Sequence, residues 1–240
     1  MKSRRLTETD LVNMAFLPTS EKERRIANLL KPKRISGSYE PFRDHIGDAV
    51  NEQYPMFSEL HAPTSLDKLE KVIEKVCAGN SDLLAMNLPV ARATHAFSVE
   101  KILNAERLNV RPVVLPFGHK YEFGMPLLMR YDNIASVAFP DLRRTAPLTA
   151  SGRVTTLSWM HQRFRANYPD HADLTLEIWR YENNADRTVK PIRVEDHLLV
   201  EFDRLWEDAT ETYQILHYME RGATEEKRKR AGGGFGPLFD

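Results

Sequence analysis

The chain of 240 residues has little of what marks a secreted or membrane protein. Its single cysteine, Cys77, excludes an intramolecular disulfide and any zinc site built from several cysteines. The longest apolar runs are short pieces such as VVLPF, far below the ~20 residues that span a bilayer. The N-terminal MKSRRLTETDLVNMAF becomes acidic before an apolar stretch develops, which does not fit a signal peptide. These absences predict a cytoplasmic protein without membrane contact.

Familiar catalytic motifs are missing too. The sequence contains no Gly-rich phosphate loop of either common spacing, no serine nucleophile elbow and no HExxH. The stretch AGGGFG, residues 231–236, lacks the strand before it and the helix after it that would let it hold a phosphate. We therefore expect no resident cofactor, and the pattern argues against an enzyme. An enzyme whose site is assembled from scattered residues would leave no local motif and stays an alternative.

Charge is balanced in total but segregated along the chain. Lys and Arg number 34, as do Asp and Glu. Residues 1–34 carry a net charge of +5, residues 35–220 carry −7, and residues 221–240 carry +2. Basic ends on an acidic body are compatible with contact to an acidic polymer, and they are also common on proteins that bind none.

The hydrophobic pattern predicts an α+β fold, with helices first, short and mainly antiparallel strands from about residue 110, and then a helix–β-hairpin–long helix unit. The expected helices are a short one capped by Ser20, one capped by Ser65, a region over 81–108 broken near Pro89, one from Ser151, and one over 195–221 closed by Gly222. The expected strands include a hairpin turning at Asp132–Asn133 and a second hairpin formed by residues 174–181 and 187–194.

This pattern divides the chain into three parts. Residues 1–40 are predicted to be a weakly structured basic segment and linker, and residues 41–222 a single α+β domain. Residues 223–240 are predicted to be a flexible basic and Gly-rich tail with a hydrophobic tip.

An acid-free stretch over residues 143–168 stands out. Its arginines are the candidate anion-binding or nucleic-acid-binding residues: Arg143, Arg144, Arg153, Arg163 and Arg165. The helix expected from Ser151 places Val154, Leu157, His161, Phe164 and Tyr168 on its apolar face and Arg163 and Thr156 on the opposite one. Arginines before a helix N-terminus suit phosphates of DNA or RNA. The alternative is that these arginines form ion pairs with the acidic body.

A second candidate site is acidic. Asp170, His171 and Asp173 occupy a predicted turn, and Glu177 follows on a strand, with Lys190 on the next strand. The PD…E arrangement resembles the restriction-endonuclease-like nucleases, in which hard carboxylate ligands hold Mg²⁺. The sequence departs from that pattern because Glu177 is followed by Ile178 and Trp179 and not by x-Lys. An acidic turn beside one surface glutamate explains the same residues.

The third candidate is the C-terminal tip, FGPLFD. A flexible basic segment followed by Phe235, Leu238 and Phe239 has the composition of a tethered motif that binds a partner protein. The terminal Leu-Phe resembles the peptides that bind bacterial sliding clamps, although the glutamine with which those usually begin is absent. The alternative is a tail that binds nothing or folds back on its own domain.

The sequence thus supports three functional hypotheses. The main prediction is a binding or regulatory protein that contacts nucleic acid through the arginines of the acid-free stretch and recruits a protein through its tail. One alternative is a Mg²⁺-dependent nuclease that uses Asp170, Asp173, Glu177 and Lys190. The other is a protein-interaction adaptor without nucleic-acid contact.

Overall fold

A six-stranded mixed sheet forms the centre of the protein. The computed structural model describes residues 4–31, 38–53 and 62–232, the last ten by their backbone alone. In chain order the strands are β1 (Glu52–Gln53), β2 (Asn104–Arg107), β3 (Val113–Val114), β4 (Lys120–Tyr121), β5 (Leu127–Tyr131), β6 (Ile134–Asp141), β7 (Thr175–Tyr181) and β8 (Val189–Ile192). The sheet order is β1-β2-β5-β6-β7-β8, with β1–β2 and β6–β7 parallel, while β3 and β4 form a separate hairpin.

Eight α-helices cover this sheet within the described residues. They are α1 (Glu8–Met14), α2 (Thr19–Leu30), α3 (Glu40–Asp44), α4 (Ile46–Ala49), α5 (Leu66–Val76), α6 (Ser81–Glu100), α7 (Ala150–Met160) and α8 (Phe202–Gly232). A π-helical turn, His161–Ala166, continues α7. The predicted α+β class is confirmed.

The sheet separates two hydrophobic cores because successive side chains of a strand face opposite sides. Val137 and Phe139 of β6 pack in one core with residues of α1, α2, α7 and α8. Ala138 of β6 and Trp179 of β7 pack in the other core with residues of α3, α4, α5 and α6. The result is a three-layer arrangement with a helical layer on each face of the sheet.

Local sequence signals located several elements correctly. Ser65 caps α5, where its hydroxyl accepts a hydrogen bond from the backbone N–H of Lys68. The turn between β5 and β6 lies at Asp132–Asn133, with φ of 47° and 61°, which is the left-handed pair that two-residue hairpins favour. The second predicted hairpin is β7–β8.

The prediction for residues 1–40 is corrected by two helices. Leu11 and Val12 of α1 and Ile26 of α2 are fully or nearly fully buried in the core. α2 begins at Thr19 after Pro18 and has no side-chain cap, so Ser20 is not the capping residue. The sequence predicted α2 apart from its cap. It missed α1, because tertiary packing, and not local propensity, stabilises a helix of only seven residues.

The predicted break at Pro89 is also wrong. α6 continues through Pro89 to Glu100, and the residues assigned to its C-terminal part begin β2 instead. Proline removes one hydrogen bond from a helix interior. The neighbouring turns are held by burial, since Val90, Ala91 and Thr94 are 0% exposed.

The last helix differs from its prediction at both ends. Residues before Phe202 form a 3₁₀ turn, Asp196–Leu198, and α8 then continues past Gly222 to Gly232. A glycine inside a helix is less favourable than alanine by about 1 kcal/mol, which lowers helix stability without forcing an end. The predicted flexible tail is therefore helical over residues 223–232, and residues 233–240 lie outside the described part.

No described helix is long and apolar enough to span a membrane.

A buried lysine joins the first helices to the last. Lys22 of α2 is 0% exposed, and its Nζ donates to Asp208 Oδ1 and Glu211 Oε2 of α8, both at 2.6 Å. The hydrogen bonds from Lys22 and Thr19 hold the pKa of Glu211 below its usual value. These two hydrogen bonds fix α2 against α8, although the two helices lie near opposite ends of the chain.

Replacing Lys22 by methionine keeps the aliphatic volume but leaves Asp208 without its cation. We expect Lys22→Met to lower the free energy of unfolding by about 2 kcal/mol, less than for a fully buried pair because Glu211 can turn to water. Arg24→Met is the matched control, since Arg24 forms an exposed pair with Glu21 on the same helix. Urea unfolding followed by circular dichroism measures both, and equal effects would contradict a special role for Lys22.

Candidate functional site

The acid-free stretch does not present one exposed basic surface. Arg163 lies in the π-helical turn, and its residue is 3% exposed. Its guanidinium donates to the carbonyl oxygens of Gly124 at 2.7 Å and Arg111 at 3.2 Å, with the Glu122 carboxylate 3.7 Å away. Burial lowers the pKa of the Arg163 guanidinium from its ordinary value. Arg163 is therefore a structural cross-link between the end of α7 and the segment before β5.

The prediction that Arg163 and Thr156 face away from the core is wrong, since Thr156 is 0% exposed. α7 is covered almost all round, and Leu157, Ser158, Trp159 and Met160 are all buried. The π-helical turn adds a residue to the turn and rotates the side chains after it away from α-helical spacing. A spacing of 3.6 residues per turn therefore places Arg163 on the wrong face, whereas Thr156, which precedes this turn, is buried because α7 is covered on nearly all sides.

Two further arginines of the stretch are also engaged. Arg143 donates through Nη1 and Nη2 to both carboxylate oxygens of Asp10 in α1, at 2.7 and 3.1 Å. Arg165 donates to the carbonyl of Leu174 at 2.6 Å and to Asp196 at 2.9 Å. Of the five candidate arginines, Arg144 is exposed and Arg153 is half-buried.

A buried carboxylate of this chain lies just before the N-terminus of α7, where the sequence predicted an anion-binding site. Asp141, at the end of β6, is 2% exposed and its Oδ2 accepts a hydrogen bond from the backbone N–H of Leu148. Asn13 Oδ1 accepts from the N–H of Thr149, which caps α7. Burial raises the pKa of the Asp141 carboxyl, and the nearby Arg180, Arg143 and Arg153 act against that rise.

The structure places a sixth arginine in this region, and no pattern in the sequence indicated it. Arg187, in the β7–β8 loop, is 1% exposed and donates through Nη2 to the carbonyl of Leu142 at 2.7 Å. It lies in a hairpin whose sequence looks polar and solvent-exposed, so periodicity gives no reason to place it inside.

The candidate nuclease residues occupy separate environments. Glu177 is 0% exposed, and its carboxylate accepts hydrogen bonds from Tyr131, Trp179 and Arg193. Lys190 pairs with Glu182. Asp170 and Asp173 lie exposed in the turn before β7.

Glu177 is consequently the acceptor of a buried network and not a free metal ligand. Both of its oxygens are used, Oε2 by Tyr131 at 2.5 Å and Oε1 by Arg193 at 2.7 Å. Burial and the hydrogen bond to Glu177 raise the pKa of the Tyr131 phenol, so Tyr131 stays a donor at neutral pH. Within the residues that the structure describes, no group of His, Cys, Asp or Glu side chains could hold a metal ion.

An exposed aromatic surface at the β3–β4 hairpin was not singled out by the sequence. Phe117 at the hairpin tip is 53% exposed, has φ of +63°, and stacks on His217 of α8 with ring centroids 5.7 Å apart. Val114 of β3 is 51% exposed, and Tyr218 is 80% exposed. We call these four residues, Val114, Phe117, His217 and Tyr218, the hairpin patch. The only feature of the sequence that could have indicated this surface is the Phe-Gly pair in the turn between two short strands.

The third candidate site, formed by Phe235, Leu238 and Phe239, lies outside the described residues. The helix that precedes it is described to Gly232. The structure thus shows the helix that precedes the candidate residues.

Comparison with known proteins gives two matches. A family model described as "Sliding clamp-binding bacterial toxin SocB" matches residues 9–225. The chain is also 28% identical over 246 residues to the DNA replication inhibitor toxin SocB of Caulobacter vibrioides, a match that covers 98% of each protein. No solved structure matches. Both descriptions favour a protein-interaction role, and neither supports nucleic-acid contact or nuclease activity.

The difference between a structural and a surface arginine is measurable. We expect Arg163→Met to lower the free energy of unfolding by about 3 kcal/mol, because it strands buried carbonyl oxygens of Gly124 and Arg111. Arg144→Met, the matched control, should change it by less than about 0.5 kcal/mol. Urea unfolding tests both, and a mild effect of Arg163→Met would refute the cross-link.

The raised pKa of Asp141 predicts a pH-dependent effect. A carboxyl whose pKa is raised by folding stabilises the fold when protonated, and that contribution is lost as the pH rises through the folded-state value. Asp141→Asn should therefore gain stability relative to the wild type between pH 4 and pH 7.5, as estimated from the ordinary Asp pKa of about 3.9. Urea unfolding at both pH values measures this change, with Asp173→Asn in the exposed turn as control. A gain that is equal at both pH values would contradict it.

Proposed function

The chain belongs to the SocB family of sliding clamp-binding bacterial toxins, and from that membership we propose that it binds a bacterial sliding clamp and inhibits DNA replication. The observation that carries the proposal is the family match over residues 9–225, which begins in α1 and ends in α8. A replication inhibitor toxin that matches over 98% of both chains supports the same conclusion.

Inhibition in this proposal comes from occupation of the clamp and not from chemistry. The acidic residues that suggested a nuclease are either saturated with hydrogen bonds, as Glu177 is, or exposed in a turn, as Asp170 and Asp173 are. A protein that holds a surface needed by replication enzymes blocks them without a catalytic group. The proposal also requires the protein to meet the replication machinery in the cytoplasm, the location predicted from the sequence.

We assign the contact to Phe235, Leu238 and Phe239. The Leu-Phe pair resembles the peptides that bind bacterial clamps, and two aromatic rings with one leucine supply the apolar anchors on which such short contacts depend. These residues follow the range 9–225 that the family model matches, so their assignment rests on their composition and on the Leu-Phe resemblance alone.

Removing the anchors should weaken clamp binding strongly while leaving the fold intact. We expect Leu238→Ala with Phe239→Ala to weaken binding about 100-fold, since truncating each buried anchor removes roughly 1–2 kcal/mol. Isothermal titration of the full chain into the purified clamp of the host bacterium measures the affinity, and growth of cells that express each variant measures toxicity.

The matched control changes the same tail without its apolar anchors. Lys227→Gln with Lys229→Gln removes two charges and should keep both the affinity, within a few-fold at moderate salt, and the toxicity. If the Leu238/Phe239 variant binds as tightly as the wild type, the clamp contact lies elsewhere on the protein.

A further inference from the structure

A cleft of about 710 Å³ opens at the end of the sheet where β5 begins and β6 ends. Its lining residues come from α3 and α4 on one face of the sheet and from α1 and β4 on the other. Met125, Leu127 and Phe139 are among its apolar lining residues. The volume lies within the range of roughly 300–1,000 Å³ that sites for small molecules occupy, and an apolar lining with a few polar groups is typical of them.

Three charged side chains that line this cleft have no partner in the part of the chain that the structure describes. Arg43 and Asp44 of α3 and Lys120 of β4 are exposed, and their side chains form neither an ion pair nor a hydrogen bond there. Another pair in the same cleft is closed, because both carboxylate oxygens of Glu52 accept from Arg107, at 2.6 and 2.8 Å. Charges of both signs are therefore free to bind a ligand.

Glu8 of α1 places a largely buried carboxylate in the cleft. Its side chain is 17% exposed, its Oε1 accepts the backbone N–H of Glu122 at 2.9 Å, and the Arg5 guanidinium is 3.9 Å away. Burial raises the pKa of the Glu8 carboxyl, and the charge of Arg43 opposes that rise most strongly, although the two groups form no ion pair. Glu8 and Arg43 therefore interact across a gap. A buried carboxylate without a close counter-ion is stabilised when a ligand brings a cation to it.

We propose that this cleft binds a short peptide with free termini, whose ammonium group pairs with Glu8 and whose carboxylate pairs with Arg43. A ligand that is only an anion would be repelled by Glu8, and one that is only a cation would be repelled by Arg43. A zwitterion satisfies both groups, and apolar side chains of the peptide contact Met125, Leu127 and Phe139. A cleft of this volume is large for a single amino acid, so a peptide of two to four residues is the class expected. This site is independent of the proposed clamp contact.

Isothermal titration of the full chain with dileucine, a dipeptide with free termini and apolar side chains, tests the proposal. N-acetyl-dileucine lacks the ammonium group, and dileucine amide lacks the carboxylate. We expect dileucine to bind, each blocked peptide to bind about 10-fold more weakly, and free leucine to bind more weakly than dileucine. Equal binding of the free and the blocked peptides, or no binding of dileucine, would overturn the site. Tighter binding of free leucine would overturn the assignment to a peptide.

Two variants assign each terminus of the peptide to its partner, with thermal unfolding as the check on folding. Glu8→Gln keeps an acceptor for the N–H of Glu122, and Arg43→Gln changes an exposed side chain. We expect Glu8→Gln to bind dileucine and N-acetyl-dileucine equally, and Arg43→Gln to bind dileucine and dileucine amide equally. Arg144→Gln is the matched control, because Arg144 is also exposed but lies outside the cleft, and it should leave the affinity for dileucine unchanged. Wild-type affinity for dileucine in both cleft variants would overturn the proposal.

Discussion

The buried guanidinium of Arg163 is the interaction on which the arrangement of the sheet and α7 depends. An arginine taken out of water must place its N–H donors on acceptors, and here the carbonyls of Gly124 and Arg111 supply them. Arg111 precedes β3 and Gly124 follows β4, so the cross-link ties the end of α7 to both ends of the β3–β4 hairpin. Arg143 and Arg165 form further cross-links nearer the surface, to Asp10 and to Asp196 and the Leu174 carbonyl.

The sequence could predict elements whose signals are local. Ser65 as a helix cap and the Asp132–Asn133 turn depend on neighbours within a few residues, and both are confirmed. The helix through Pro89 and the inward face of Arg163 depend on partners distant in sequence, which periodicity does not contain. For the candidate site, the sequence offered only the Leu-Phe resemblance at the tail. It gave no reason to select Phe117, because its exposure is set by how the β3–β4 hairpin meets α8.

The internal contacts of the charged residues and the apolar surface of the protein point to the same kind of function. Arg143, Arg163 and Arg165 are engaged with other parts of the chain, Glu177 is saturated with hydrogen bonds, and the described residues hold no group that could bind a metal ion. The described body exposes several large apolar side chains, among them those of the hairpin patch, and its last helix has 31 residues. A protein built in this way is suited to hold another protein, which agrees with a family of clamp-binding toxins.

We propose that the apolar tip, and not the acid-free stretch, meets the partner. Site-specific photo-crosslinking in living bacteria distinguishes the two, with a photoreactive amino acid placed at position 235 in one strain and at position 144 in another. We expect a covalent adduct with the sliding clamp from position 235 and none from position 144. Adducts to nucleic acid from position 144, with no clamp adduct from position 235, would contradict it.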